Sequence, residues 1–286
     1  MDDKEKKEKY IGIIVAVHEE ERILKSLLSN WTTEMISGMR CGVAYWYSQP
    51  VAVLVSGQGE DKARDACRAM IRRFQPRFVL SAGFCGALQK GIKVGDIVVS
   101  RRIYRGVDIL EAQGRGEKTL AGVRSWQPSQ NALELAKHAG FAYKNLQVEQ
   151  KRFTSNMRSC WEEITVTASR VISRPNEKKT LGKESGAASV DMESAAVAEI
   201  MSVAAIPWLA IRAVSDDVEF NMPMDFNSLK NSEGGIDYTA VLKSALKKPA
   251  LIPGLVRMGI NCQKASDSLC LYLQYLLNDL TGSGRL

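Results

Sequence analysis

The chain has 286 residues, 45% of them hydrophobic, which is enough to bury one large α/β core and is read here as a single domain. Its formal charge of +7 favours anionic partners, but the basic residues are scattered as on a solvated surface, so no nucleic-acid partner is expected. Six cysteines without a CxxC pair and only two histidines, His18 and His138, argue against a disulfide framework and a zinc site; a reduced, cytoplasmic protein without metal or cofactor is expected.

Residues 1–9 form a charged tail that lacks the apolar stretch of a secretory leader. "YIGIIVAV" (10–17) has the β-branched run of a buried strand, and "HEEERILKSLLSN" continues it as a helix with acids in its first turn. "PVAVLVSGQG" (50–59) repeats the pattern, its helix marked by Ala63, Ala66, Cys67, Met70 and Ile71 on one face. "RFVLSAGFCGAL" (77–88) and "KVGDIVVSRRIY" (93–104) add two strands, each beside a glycine turn. The polar segment 105–126 reads as a loop or insertion, "SQNALELAKHAGF" as a helix, "EITVTASRVI" as a strand and "RPNEKKTLGKESG" as helix and turn.

"SVDMESAAVAEI" (189–200) then sets acids before an Ala-rich helix, and "PWLAIRAVSDD" closes the core as a strand. The longest apolar stretch, Ala195 to Ile211, is interrupted by Glu199 and Pro207, so no membrane-spanning helix is expected. Beyond Tyr238 the chain reads as helical. Leu269, Leu271 and Leu273 are expected to pack on the core or a subunit interface, with peripheral membrane contact as the alternative. The alternation of strands and helices predicts an α/β domain over 10–245 and a helical extension over 246–286.

Glycine turns from Ser56 through Gly57 to Gly59, from Ala82 through Phe84 and Cys85 to Gly86, and at 94–96 suggest backbone amides approaching an anion or a sugar at the carboxyl ends of strands. The dinucleotide-binding pattern is not met, because Gly57 and Gly59 are not followed by a glycine three positions on. Acids are more informative, since a buried carboxylate is costly without a partner or ligand. Each has an ordinary explanation: Glu20 as a helix N-terminal acid, Asp191 as a cap, Asp216 and Asp217 as turn residues. Acids at three separate β-to-α junctions converge on one sheet edge, however, and without a catalytic histidine they suggest carboxylate acid and base chemistry on a polyhydroxylated, nitrogen-containing ligand such as a nucleoside.

"IGIIVAVHEEE", "VLVSGQGEDKARDA", "SAGFCGALQKGIKVGDIVVS", "VDMESAAVA" and "IRAVSDD" resemble, in this order, the purine nucleoside phosphorylase and methylthioadenosine/S-adenosylhomocysteine nucleosidase superfamily. Within it, "EERI", "TASRVISRPNEKKTL" and "KKPALIPGLVRMG" look most like the hopanoid-associated phosphorylases. The resemblance implies a three-layer α/β/α fold around a twisted mixed sheet, usually oligomeric, that cleaves the N-glycosidic bond of a nucleoside. On that likeness Glu193 binds the ribose hydroxyls with Met192 beside the sugar, Asp216 protonates the purine with Ser215 orienting it, and Glu20 activates water.

The match is imperfect in places that bear on chemistry. Ser81 stands where phosphorylases commonly carry an arginine, leaving Arg22 as the candidate phosphate contact if phosphate is the co-substrate. Phe84 replaces a small serine, and Val171 and Ile172 replace the ring that stacks on the purine. The expected activity is therefore hydrolytic release of adenine from a 5′-substituted adenosine. Phosphorolysis of adenosylhopane or another nucleoside is the alternative, followed by a non-catalytic nucleoside-binding module and a generic α/β phosphate binder.

Overall fold

The computed structural model describes residues 9–114, 120, 122–150, 158–229 and 238–282. In chain order the elements are β1 (Ile11–Val15), α1 (His18–Leu27), β2 (Ser29–Ile36), β3 (Met39–Trp46), β4 (Gln49–Val55), α2 (Glu60–Phe74), β5 (Phe78–Ala87) and β6 (Ile97–Arg105). They continue with α3 (Gly106–Gly114), β7 (Ser125–Trp126), α4 (Gln130–Gln150), β8 (Cys160–Thr167), α5 (Pro175–Ser185), β9 (Ser189–Asp191), α6 (Ser194–Val203), β10 (Trp208–Asp216), α7 (Tyr238–Lys247) and α8 (Ile252–Gly282).

The strands form one mixed sheet with helices on both faces, as the alternating sequence predicts. β1 shows why: Ile11, Ile13 and Val15 enter the core shared with α1, α4 and α8, while Ile14 enters the core shared with α2 and α6. Period-two alternation thus feeds apolar side chains to both helix layers. β1, β4, β5 and β10 run parallel, and β2–β3–β4 is an antiparallel meander that the sequence reading passed over.

Part of the sheet closes on itself. β10 pairs with both β5 and β6, β6 continues through β8 to β9, and β9 returns to the end of β5 at Gly86 and Ala87. This closure brings the carboxyl ends of β5, β9 and β10 together, beside that of β1.

Two expectations change. The segment 105–126, read as a loop, contains α3 and the short strand β7, which pairs with β6; residues 115–119 and 121 lie outside the described residues. The C-terminal stretch read as an extension supplies core: Ala265, Leu269, Tyr272, Leu273, Leu276 and Leu277 of α8 are buried against α1 and α4. Leu269 and Leu273 therefore take the packing reading, and the exposed apolar side chains of α8 are Ile252, Val256 and Ile260. Among the described residues no helix is long and apolar enough to cross a membrane.

Candidate active site

Glu20 sits in the first turn of α1, where a surface acid would be unremarkable, yet it is buried. Its Oε2 accepts from the backbone N–H of Ala16 at 2.7 Å and of Val17 at 3.2 Å, and its Oε1 accepts from Phe84 N–H at 2.8 Å. The approach to β5 depends on Gly83, where an added Cβ would lie 2.5 Å from Oε1. Burial raises the Glu20 pKa above the usual carboxylate range, against the opposing pull of Arg212 and the three amides. A carboxylate held this way takes up a proton more readily than an exposed one.

Glu193 ends the link from β9 into α6 and is also buried. Its Oε1 accepts from Gly59 N–H at 2.9 Å, and Gly59 holds a left-handed φ of 99° that a residue with a side chain rarely adopts. Burial first, and then the charge of Asp191, push the Glu193 pKa up to about 8. The glycine turns at these strand ends thus serve the protein's own carboxylates.

Asp191 is more than a helix cap. Its Oδ1 accepts from Thr167 Oγ1 at 2.8 Å and only weakly, at 3.3 Å, from the N–H groups of Glu193 and Ser194. Its Oδ2 accepts from Arg212 Nε at 2.7 Å, and both side chains are buried. Arg212 Nη1 donates to Ser81 O at 2.9 Å and Nη2 to Ser81 Oγ at 2.8 Å, while its charge acts on Glu193 and Glu20. Ser81 thus receives the guanidinium of Arg212 from β10.

Asp216 closes β10 against Gly86, where an added Cβ would lie 2.9 Å from Oδ2. Oδ1 accepts from Ser215 Oγ at 2.8 Å, and Ser215 Oγ also lies 3.2 Å from Cys85 O. Oδ2 accepts from Lys178 Nζ, a side chain of α5 with no solvent exposure. Burial raises the Asp216 pKa and Lys178 pulls it back.

The remaining predicted residues divide by exposure. Ser56 is buried, with Oγ near Val15 O and Gly57 O, and Gly57 has a positive φ of 85°. Phe84, Gly86, Met192, Val171 and Ile172 are half-buried; Val171 exchanges backbone hydrogen bonds with the Asn227 side chain. The Cys85 side chain faces an apolar cluster with Ile92, Val98 and Val214, so only its backbone is open to the site. Arg22 is exposed on α1, two residues past Glu20 and so on the opposite side of the helix, and the structure does not bring it to the acids. Among the described residues no group of three or more His, Cys, Asp or Glu side chains is placed to hold a metal ion.

Two residues of the site were not named from the sequence. Arg212 is the one charge inside the apolar run "WLAIRAV" of β10, and that isolation was its signal. Lys178 shares the buried face of α5 with Gly182 and Ser185, a spacing of four and seven residues.

The family model of the phosphorylase superfamily matches residues 10–242. The chain belongs to that superfamily. Within the phosphorylase superfamily it is 28% identical over 245 residues to a 5′-methylthioadenosine/S-adenosylhomocysteine nucleosidase of Listeria monocytogenes, covering 84% of this chain and 95% of the relative. A nucleosidase of the same name from Buchnera aphidicola is 26% identical over 231 residues, covering 78% of this chain and 93% of the relative. In fold, futalosine hydrolase of Helicobacter pylori matches with a TM-score of 0.70 and 18% identity over 95% of this chain and 98% of that one. The Neisseria meningitidis 5′-methylthioadenosine/S-adenosylhomocysteine nucleosidase in complex with methylthio-immucillin-A matches at 0.69 and 18% identity, over 94% and 98%.

Proposed function

We infer that this member of the phosphorylase superfamily hydrolyses the N-glycosidic bond of a purine nucleoside, a 5′-substituted adenosine, and releases adenine. The observation that carries the reading is the convergence of buried Glu20, Glu193 and Asp216 at strand ends, with both buried cations there, Arg212 and Lys178, already committed to carboxylates. That arrangement supports water, rather than a phosphate dianion, as nucleophile. The nucleosidase names of the relatives that span most of the chain support the same chemistry.

In this mechanism Glu193 accepts hydrogen bonds from the ribose hydroxyls and favours the positive charge that develops on the ring as the C1′–N9 bond lengthens. Asp216, with Ser215 orienting it, gives a proton to N7 so that the base leaves neutral. Glu20 takes the proton of the water that adds to C1′. Phe84, Val171, Ile172 and Met192 supply the apolar lining for base and sugar.

Phosphorolysis has one specific observation in its favour. A Cβ at Gly57 would lie 3.2 Å from Lys62 Nζ, so a partly exposed ammonium rests on that glycine turn. Incubating the purified protein with methylthioadenosine, adenosylhomocysteine or adenosylhopane, with and without phosphate, separates the two. Base release without phosphate is expected, and no release from any nucleoside overturns the reading.

Two wider interactions belong to the same proposal. Val107 and Leu110, exposed on α3, support self-association, which sedimentation measures. Ile252, Val256 and Ile260, spaced by four along α8 with Lys247, Lys248 and Arg257 nearby, support peripheral contact with an anionic membrane, which vesicle flotation measures.

A further inference from the structure

A fully buried lysine is among the costliest side chains to place in a protein interior, and it needs either neutralisation or a full set of acceptors. Lys178 has the acceptors. Its Nζ donates to Asp216 Oδ2, to Asp217 O at 2.9 Å and to Phe220 O at 3.3 Å, so its three N–H bonds are all directed into protein. None is left for a substrate. The same ammonium therefore fixes the carboxylate of Asp216 and the turn that follows it, and Arg257 of α8 lies over the Phe220 ring at 5.2 Å.

If Asp216 is the acid on the base side, as proposed above, the pairing poses a chemical problem. Burial raises the Asp216 pKa, but the ammonium bonded to it works against that by favouring the ionised form, whereas an acid must carry a proton to give one away. The pair as a whole does carry one. We propose that Lys178 is a positioning residue that stores the proton Asp216 delivers to the departing purine, while holding Asp216 and the 217–220 turn in place.

In the step, a proton moves from Lys178 Nζ to the Asp216 carboxylate, and the carboxyl proton passes to N7. The C1′–N9 bond breaks with its electron pair retained by the purine. Water forms the new C1′–O bond and gives its proton to Glu20. Lys178 is left neutral and Glu20 protonated, and exchange of one proton to solvent and one from solvent restores both. The lysine acts only through Asp216.

Other ionisable groups around the pair do not compete for this role. Asp217 presents its carbonyl to Lys178, and its own Oδ1 accepts from Glu219 N–H. On β5 the Cys85 thiol is pushed up by burial, and on α8 the Cys262 thiol is raised to about 11, so both stay uncharged at neutral pH. On β10 Ser215 donates to Asp216, and the β9 side chain beside Gly86 is the apolar Val190.

Three measurements test the proposal. In the wild-type protein, carbon-13 NMR of the Asp216 carboxyl, assigned with Asp216→Asn, gives its ionisation midpoint, and kcat for base release is expected to stay level above it. A kcat that falls in step with that ionisation overturns the storage role without needing a variant. Lys178→Arg keeps the charge but replaces a group that can release a proton by one that does not, and a loss of kcat on the order of 10²-fold is expected with little change in KM.

Lys178→Met is expected to move the Asp216 midpoint to higher pH and to make kcat follow that midpoint. Wild-type kcat and pH profile in either variant overturn the inference while leaving the nucleosidase reading intact. Absence of base release by the wild type defeats that reading, and this inference with it.

Discussion

Four buried carboxylates at this sheet edge, Glu20, Asp191, Glu193 and Asp216, are held in two different ways. Glu20 and Glu193 rest on neutral backbone N–H groups, whereas Asp191 and Asp216 are bonded to a full cation each. An amide donor satisfies a carboxylate without adding charge, so burial dominates; Glu20 is raised and Glu193 reaches about 8. At Asp216 burial raises the pKa as well, but the bonded ammonium opposes it, and in both pairs the cation fixes the carboxylate in place. The first pair is suited to exchanging protons and meeting hydroxyl groups, and the second to rigidity, with Lys178 as the proposed proton store for Asp216.

The largest effect expected is from Asp216→Asn, which keeps shape and removes the acid: kcat should fall on the order of 10³-fold, or about 4 kcal/mol, in a base-release assay. Arg212→Met breaks the other cation-held pair and leaves Asp191 buried without its partner. A loss of about 3 kcal/mol is expected, read from the urea midpoint. The amide-held pair is tested next by Gly83→Ala, whose Cβ would displace the Glu20 carboxylate by contact with Oε1. The fold should survive and kcat should drop about 10²-fold, because misplacement of a catalytic group by about 1 Å is that costly.

A smaller effect separates Glu193 from Asp191 directly. Because burial raises the Glu193 pKa to about 8, the protonated form predominates at neutral pH, and the ionised fraction grows as pH rises through that value. Ligands that donate ribose hydroxyls favour the ionised form. Their affinity should weaken as pH falls below about 8, approaching tenfold per pH unit, and Glu193→Gln should flatten the dependence in a titration. The linked stability has the opposite sense: stability contributed by the protonated form is full below the unfolded pKa and is lost as pH rises through about 8.

The sequence disclosed one kind of information better than the other. Strands such as "IGIIV" are legible because apolar runs of that length must be buried, and three acids at strand ends are legible because position alone makes them unusual. What holds those acids is a tertiary matter. Lys178 stands in "NEKKTLGKES" among other lysines, and only the packing of α5 makes it buried while Lys179 pairs with Glu219 at the surface. Asp191 and Glu193 look equivalent two residues apart, yet one turns to Arg212 and the other to Gly59.

Arg22 shows the limit of sequence proximity: it stands two residues from Glu20, yet helical geometry turns it to the exposed side of α1. The β2–β3 hairpin was passed over because its residues are largely exposed or half-buried and no long apolar run marks them.

The most direct test of the central claim is product analysis in phosphate-free buffer with methylthioadenosine and adenosylhomocysteine as substrates. The account predicts release of adenine together with a free reducing sugar, at a rate unchanged by added phosphate. Release that requires phosphate and yields a sugar 1-phosphate, or no release at all, contradicts it.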